Sequence, residues 1–252
     1  MGVLRAKVLT ASQIIASDVS ESRREYFTKT TGIKTTAENN EVAGHSEYLL
    51  LSIKPQMAPD ALKGIGTVAS VDTCMISIMA GISCAAIEKH LGNGKSWKII
   101  RTMPNTPMLV GEGMVGISKG QHASTENLNW ANKLFAAGAD IVSVNEEQID
   151  AVTAVSGSGP AYFFYFIEHM IKSGVALGLD AEQARQLSIK TILGAAKMLQ
   201  TSTDSPAELR RKVTSPAGTT HAAITHMEKN HVGETLQDAM TAAAKRSREL
   251  GA

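Results

Sequence analysis

Several small hydroxyl residues and a glycine stand directly before a helical pattern in the last quarter of the sequence. The segment Lys212–Thr220 reads KVTSPAGTT, and apolar residues then recur at helical spacing up to position 227. A helix start offers unpaired N–H groups and partial positive charge, so it binds a small anion without Lys or Arg. The pattern therefore predicts a carboxylate cradle of backbone N–H groups with Ser215, Gly218, Thr219 and Thr220. An ordinary capped helix start uses the same residue types and stays open as an alternative.

The length and composition describe a globular protein of one large or two modest domains. The chain has 252 residues, 43% of them apolar, and a formal net charge of +1, which lacks the basic excess of a nucleic-acid binder. No apolar run reaches the length of about 18 residues that a membrane span requires, and residues 1–7 are too polar for a signal peptide. Cys74 and Cys84 are the only cysteines, which favours reduced, buried thiols in a cytoplasmic protein.

Strands and helices alternate over the first part of the sequence. Apolar runs predict strands at 13–17, 48–53, 73–79, 97–101, 114–118 and 141–144, with helical patterns between them at 20–31, 39–46, 58–62, 84–91 and 125–137. Tyr26 and Phe27 are expected on the inner side of the first of these helices. The alternation predicts an α/β domain with a Rossmann-like parallel sheet over residues 1–145.

The pattern changes after Val144, where no convincing strand follows. Capping boxes mark three helix starts, at Asn145 with Gln148, Asp180 with Gln183, and Ser205 with Glu208. Apolar residues at three- and four-residue spacing predict a helix over 181–200. Residues 146–252 are therefore expected to form an all-helical domain. Its apolar helices are more than one monomer can bury, so we expect a dimer interface there.

Four blocks of the sequence resemble those of the delta-1-pyrroline-5-carboxylate reductase family. They are LSIKP at 51–55, RTMPNTP at 101–107, DAVTAVSGSGPAY at 150–162 and VTSPAGTTHAAITHME at 213–228. Because they occur in the right order over nearly the whole chain, the match is specific. The resemblance implies reduction of 1-pyrroline-5-carboxylate to L-proline with NADPH or NADH, in proline biosynthesis. It also implies that the helical domain binds substrate at the interface of a homodimer or of a ring of dimers.

The sequence departs from this family at its start. A dinucleotide-binding domain begins with a strand, a G-x-G-x-x-G turn and a helix, and an acidic residue follows about 20 positions later. Here Asp18 closes the first strand that the pattern supports, and Gly2–Leu4 resembles the tail of the family's first helix. We therefore expect the first strand, the glycine loop and most of the first helix, on the order of 20–25 residues, to be missing, through a truncated gene model, a late start codon or a true variant. The alternative function is then a catalytically impaired homologue that acts as a dimerising or binding subunit.

Candidate cofactor contacts follow the ends of the predicted strands, where open parallel sheets bind ligands. Asp18 can accept the ribose hydroxyls of NADH, whereas Arg23 or Arg24 can meet the 2′-phosphate of NADPH, and the acid favours NADH. A helix cap with surface charge explains these three residues equally well. The resemblance adds further cofactor positions, namely Asn39, Ser52, Ile53, Lys54, Pro55, Ile78, Met79, Ala80 and Asn105. A plain turn is the alternative at Lys54–Pro55.

Thr153 is the candidate proton donor. It precedes the SGSGP segment at 156–160, which has Ser156 where a G-x-S-x-G nucleophile elbow requires glycine. That segment is expected to form a tight turn, and the aromatic residues at 162–166 are expected to lie mostly in the core. A protonated imine accepts a hydride directly, so the reaction needs neither a strong base nor a metal.

Three histidines near the C-terminal end are predicted to lie on the surface. His221, His226 and His231 are spaced by five, whereas histidine pairs that bind metal on a helix prefer a spacing of four. No set of acids or cysteines accompanies them, so no metal site is expected.

Overall fold

The computed structural model describes residues 1–92 and 94–251, and the chain divides into two compact units. The first unit comprises Met1–Ser158 with Ala242–Ala252, and the second comprises Gly159–Thr241. The sequence pattern changes at 145, but residues 146–158 stay with the first unit because Arg101 holds Glu146 and Asp150 in ion pairs. The expected combination of an α/β part and a helical part is confirmed.

The first unit is built on two sheets. Its strands are β1 (Ile15–Ser17), β2 (Lys34–Thr36), β3 (Tyr48–Leu51), β4 (Cys74–Ser77), β5 (Lys98–Pro104), β6 (Gly113–Lys119) and β7 (Ala139–Ser143). Strand β1 pairs in parallel with β2, and the larger sheet has the order β3-β4-β5-β6-β7. Strands β3, β4 and β5 are parallel, whereas β6 runs antiparallel to β5, so the sheet is mixed rather than wholly parallel.

Helices alternate with these strands as predicted. They are α1 (Gly2–Arg5), α2 (Glu21–Thr31), α3 (Asn39–His45), α4 (Ala58–Val68), α5 (Cys84–Leu91), α6 (Thr125–Phe135) and α7 (Ile149–Val152). Gly32 ends α2 in the left-handed conformation with φ of 72°, which glycine adopts at no steric cost. The inner position expected for Tyr26 is wrong, because its side chain is exposed.

Two apolar clusters cover the two faces of the larger sheet. Met75 of β4 contributes to one cluster, and the adjacent Ile76 contributes to the other, since successive strand residues point to opposite faces. Strand β4 is therefore buried throughout. Coverage of both faces was also expected for β3, but Leu50 is exposed. Within the described residues β3 pairs only with β4, so it lies at the edge of its sheet.

Both cysteines are free and buried, as the sequence predicts. Burial raises the pKa of Cys74 to about 11; burial and then Glu146 raise the pKa of Cys84. Since the thiolate is the reactive form, Ellman's reagent is expected to label neither thiol of the folded chain near pH 8 and both in guanidinium chloride. Because folding raises the Cys74 pKa, the protonated thiol contributes to the free energy of unfolding. That contribution is intact below the ordinary thiol pKa and is lost as the pH rises towards about 11. Rapid labelling of either thiol in the folded chain would contradict the expected protection from Ellman's reagent.

The second unit is helical, and no strand follows β7 in the described residues. Its helices are α8 (Gly159–Ala176), α9 (Ala181–Thr201), α10 (Pro206–Lys212), α11 (Thr219–Lys229) and the beginning of α12 (Val232–Leu250). All three predicted capping boxes form, those of the second unit at the starts of α9 and α10.

The aromatic residues of α8 are not in a core, contrary to expectation. Phe163, Phe164, Tyr165 and Phe166 are all exposed. Helix α8 packs mainly against α9, whose Leu187, Leu193 and Met198 are themselves exposed. Large apolar patches of this kind are typical of surfaces that another chain covers. In the described part of the chain, no helix is both long and apolar enough to cross a membrane.

Candidate active site

The predicted cofactor residues follow β3, β4 and β5 at the carboxyl ends of these parallel strands, which form one edge of the larger sheet. Leu51, Ser77 and Arg101 are in register across these three parallel strands. The segments that follow them, Ser52–Pro55 and Ile78–Ala80, therefore leave the sheet at the same edge, where open α/β sheets bind ligands. Pro55 begins a 3₁₀ turn that leads into α4. A turn therefore does form at Lys54–Pro55, and the cofactor contact there stays a prediction.

The end of β1 carries a second group of predicted contacts. The Ser17 hydroxyl donates to Asn39 Oδ1 at 2.7 Å, which ties the end of β1 to the first residue of α3. Asp18 follows β1 directly, and its Oδ2 lies 3.1 Å from Nε of Arg23. The Arg24 guanidinium donates to the backbone carbonyl of Asp18 at 2.7 Å. A carboxylate beside two guanidinium groups fits the ribose and phosphate groups of a dinucleotide.

Met79 and Asn105, two further predicted cofactor residues, also have side chains that the protein itself uses. Met79 is buried in the core, so only its backbone can meet a ligand. Asn105 Oδ1 accepts the Met114 N–H at 2.8 Å, and its Nδ2 donates to the Ser156 carbonyl at 3.3 Å. Its role as a cofactor contact stays a prediction.

Gly81, directly after the β4 segment, packs against the C-terminal end of α12. Its φ is +80°, and a Cβ there would lie 2.1 Å from the Ser247 carbonyl oxygen. Gly251 makes the reciprocal approach, since its Cβ would lie 2.0 Å from the Gly81 carbonyl oxygen. No local pattern marks this packing, because the contacting residues are far apart in sequence.

An ion-pair network joins the buried Arg101 to two partly exposed carboxylates. Arg101 on β5 is 4% exposed and pairs with Glu146 at 3.4 Å and Asp150 at 3.2 Å. The Ser247 hydroxyl donates to Asp150 at 2.7 Å, and Glu146 accepts the Cys84 N–H at 2.6 Å. No sequence pattern identified this network, although an arginine inside the apolar run of β5 was the signal that could have pointed to it.

At the expected tight turn of 156–160, Ser156 and Gly157 instead end a π-helical turn, and a bend at Ser158 follows. That turn is Thr153–Gly157, between α7 and α8, and π turns inside helices are frequent at functional sites. Met103 and Asn105, on the same face of β5 as Arg101, contact this turn at Gly157 and Ser156. Strand β5 therefore fixes the position of the turn.

Thr153 begins this π turn and has its single hydroxyl proton engaged. Its Oγ1 donates to the Ile149 carbonyl at 2.9 Å, and the residue is buried. A hydroxyl that donates in this way keeps lone pairs that can accept a hydrogen bond. The geometry favours an acceptor over a donor at this position, and the predicted proton-donor role remains a prediction.

The carboxylate cradle before α11 stays a prediction, and the structure gives the backbone geometry of that helix start. Gly218 is the N-cap residue of α11, and no side chain caps the helix, so an ordinary side-chain cap is absent at this helix start. The Gly218 N–H donates to the Ser215 carbonyl at 3.1 Å, which closes a turn. A Cβ on Gly218 would lie 2.5 Å from Ser215 Oγ. Ala217 has φ of +57°, a strained conformation of the kind found at ligand-binding loops.

The three C-terminal histidines are exposed, as predicted. Among the residues that the structure describes, no three or more His, Cys, Asp or Glu side chains are grouped so as to hold a metal ion.

Two family models match the chain. Residues 146–250 match pyrroline-5-carboxylate reductase dimerisation, and residues 1–81 match NADP oxidoreductase, coenzyme F420-dependent. The pyrroline-5-carboxylate reductase of Pseudomonas aeruginosa is 40% identical over 99% of this chain and 91% of its own length. That of Pisum sativum is 37% identical over 99% and 90%.

Two similar solved structures are also those of pyrroline carboxylate reductases. Pyrroline carboxylate reductase of Plasmodium falciparum, solved with NADP bound, has a TM-score of 0.90 at 29% identity, covering 100% of this chain and 92% of that one. A pyrroline-5-carboxylate reductase from Coxiella burnetii has a TM-score of 0.87 at 32% identity, covering 100% and 93%.

Proposed function

The chain belongs to the pyrroline-5-carboxylate reductase family, and we propose that it reduces 1-pyrroline-5-carboxylate to L-proline with NADH or NADPH, in proline biosynthesis. The structural observation that carries this proposal is the helix start at Gly218, which has no side-chain cap and no charged residue between positions 215 and 220. Such a site suits one small carboxylate on an otherwise apolar ring.

The substrate carboxylate is held by the first backbone N–H groups of α11 and by the hydroxyl groups of Ser215, Thr219 and Thr220. The partial positive charge of the helix start stabilises the anion without a lysine or arginine. The turn that Gly218 closes with Ser215 keeps these donors in one arrangement. A site that is already ordered before binding loses little entropy when the substrate arrives.

The nucleotide would be held by Asp18 and Asn39 at the end of β1, by Ser52–Pro55 and Ile78–Ala80 after β3 and β4, and by Asn105 after β5. When bound there, the reduced nicotinamide supplies a hydride to the imine carbon. The protein contributes orientation and keeps water out, and the imine nitrogen already carries its proton. The charges at these strand ends fit the nucleotide, since Asp18 can accept hydroxyls and Lys54 can meet a phosphate.

Thr153 accepts a hydrogen bond from the protonated imine nitrogen, because its own proton is donated to Ile149. Thr153→Ala is expected to lower kcat about 10-fold, the loss of one hydrogen bond to a charged group. Thr153→Ser keeps the hydroxyl and is expected to stay within a few-fold of the parent. Steady-state kinetics across a pH series measures both variants. Equal losses in the two variants would show that the methyl group, and not the oxygen, matters.

Turnover of the purified chain tests the proposed function. Oxidation of NADH and of NADPH is followed at the nicotinamide absorbance, with 1-pyrroline-5-carboxylate present and absent, and L-proline is identified as the product. Substrate-dependent oxidation that yields proline supports the reductase. Absence of turnover with both nucleotides would leave the dimerising or binding subunit, which the full-length relatives do not favour.

The assembly is a homodimer or a ring of dimers, formed through the helical unit, in the cytoplasm. The dimerisation family match over 146–250 and the exposed aromatic side chains of α8 support association of this part of the chain. Analytical ultracentrifugation of the purified chain distinguishes a dimer from a larger ring.

A further inference from the structure

We infer that Asp18 makes this chain prefer NADH to NADPH, an inference that rests on the proposed function. The choice between the two nucleotides depends on one group, the 2′-hydroxyl or 2′-phosphate of the adenosine ribose. In an open α/β sheet, this group is recognised at the end of the strand that carries the acidic residue. Asp18 stands there, directly after β1, with its backbone N–H bonded to the Thr36 carbonyl of the neighbouring strand at 3.2 Å.

The Asp18 carboxylate is fixed in place by its own loop. Its Oδ1 accepts the Ser20 N–H at 2.9 Å, and its Oδ2 pairs with Arg23 Nε at 3.1 Å. The side chain remains 30% exposed, so it can still be reached from solvent. Carboxylate oxygens have further lone pairs and can accept the ribose hydroxyls while these bonds persist.

The two arginines that could bind a 2′-phosphate, Arg23 and Arg24, already contact other groups of the protein. Arg23 is held by Asp18 and by the Phe27 ring, whose centroid lies 5.9 Å from its guanidinium carbon. Arg24 donates to the backbone carbonyls of Asp18 at 2.7 Å and Val19 at 3.1 Å. A 2′-phosphate would have to share these guanidinium groups with their present acceptors and would still face the Asp18 carboxylate, a like charge.

NADH has no 2′-phosphate, so it neither competes for the arginines nor is repelled by the Asp18 carboxylate. Its ribose hydroxyls donate to a carboxylate that is ready to accept them, and the pairing of Asp18 with Arg23 is kept. The same geometry predicts how the preference reverses. Removing the charge of Asp18 leaves Arg23 without its carboxylate partner and available to the 2′-phosphate, for which an arginine is well suited.

Asp18→Asn is the informative variant, since an asparagine keeps the acceptor for the Ser20 N–H while it removes the charge. The parent chain is expected to show a kcat/KM for NADH about 10-fold above that for NADPH, and Asp18→Asn to shift this ratio towards NADPH by about 10-fold or more. Glu168→Gln, which removes one carboxylate of an exposed ion pair with Lys172 in the helical unit, is the matched control and should leave the ratio unchanged.

Calorimetric titration with NAD⁺ and NADP⁺, and with the fragments 5′-AMP and 2′,5′-ADP, gives a readout that does not depend on turnover. Tighter binding of NAD⁺ and 5′-AMP by the parent, weakened or reversed in Asp18→Asn, supports the inference. A parent that prefers NADPH, a ratio that Asp18→Asn does not move, or binding of neither nucleotide overturns it. Proline formation with NADPH alone would overturn this inference and leave the proposed function standing.

Discussion

Gly218→Ala is expected to lower kcat/KM for 1-pyrroline-5-carboxylate about 100-fold, the effect of displacing a binding group by about 1 Å. The added Cβ would lie 2.5 Å from Ser215 Oγ and 3.1 Å from the Ser215 carbonyl oxygen. The backbone φ of Gly218 is −81°, which alanine adopts freely, so the effect comes from crowding rather than backbone strain. Stopped-flow or steady-state kinetics with saturating NADH measures the loss, and nucleotide affinity is expected to stay the same.

Gly233→Ala is the matched control, because a Cβ at Gly233 meets nothing within 4 Å and the residue lies in the same helical unit. It should leave kcat/KM unchanged. Ser215→Ala combined with Gly218→Ala removes the crowded hydroxyl and should be less impaired than the sum of the two single changes. If Gly218→Ala behaves like Gly233→Ala, the turn before α11 does not position the substrate.

Arg101→Met is expected to lower the free energy of unfolding by about 3 kcal/mol. The change removes the cation that is 4% exposed and leaves Glu146 and Asp150, 29% and 18% exposed, without their partner. Removing one member of a buried ion pair is costly because the remaining charge keeps its desolvation penalty. Urea denaturation followed by circular dichroism measures the difference, under the same nucleotide-free conditions for each variant.

Lys98→Met provides the comparison on the same strand. Lys98 pairs with Asp72 at 2.8 Å, but the Asp72 side chain is 83% exposed, so the loss is expected to stay below about 1 kcal/mol. An Arg101→Met variant no less stable than Lys98→Met would contradict a structural role for the network. Ser247→Ala, which removes one neutral donor to Asp150, should fall between the two.

The parts of the fold that depend on neighbouring residues could be predicted from the sequence. The capping box of Asp180 with Gln183 joins residues three apart, and the stop of α2 needs only Gly32. Apolar runs identified β4 and the other main strands, because burial on both faces requires such runs. The order of strands and helices then placed Ser52–Pro55 and Ile78–Ala80 at one edge, so the strand-end part of the candidate site was predictable as well.

The exposure of Phe163 and its neighbours could not be predicted in this way. An apolar helix face gives the same sequence pattern whether its own chain or a second chain covers it, so periodicity alone assigned these side chains to a core. The direction of β6 was equally hidden, because an apolar strand pattern does not record whether its neighbour is parallel.

The class of fold, the helix starts and the turn at Ser215–Thr220, which is proposed to bind the substrate carboxylate, could be predicted because each depends on the types and spacing of residues close together in the chain. The contacts of Asp150 could not be predicted in this way, because its bond to Ser247 joins residues 97 positions apart. The sequence pattern likewise did not show that the Arg23 and Arg24 guanidinium groups turn towards Asp18. These outcomes depend on packing and on competition among charges in three dimensions, and a linear pattern does not encode either.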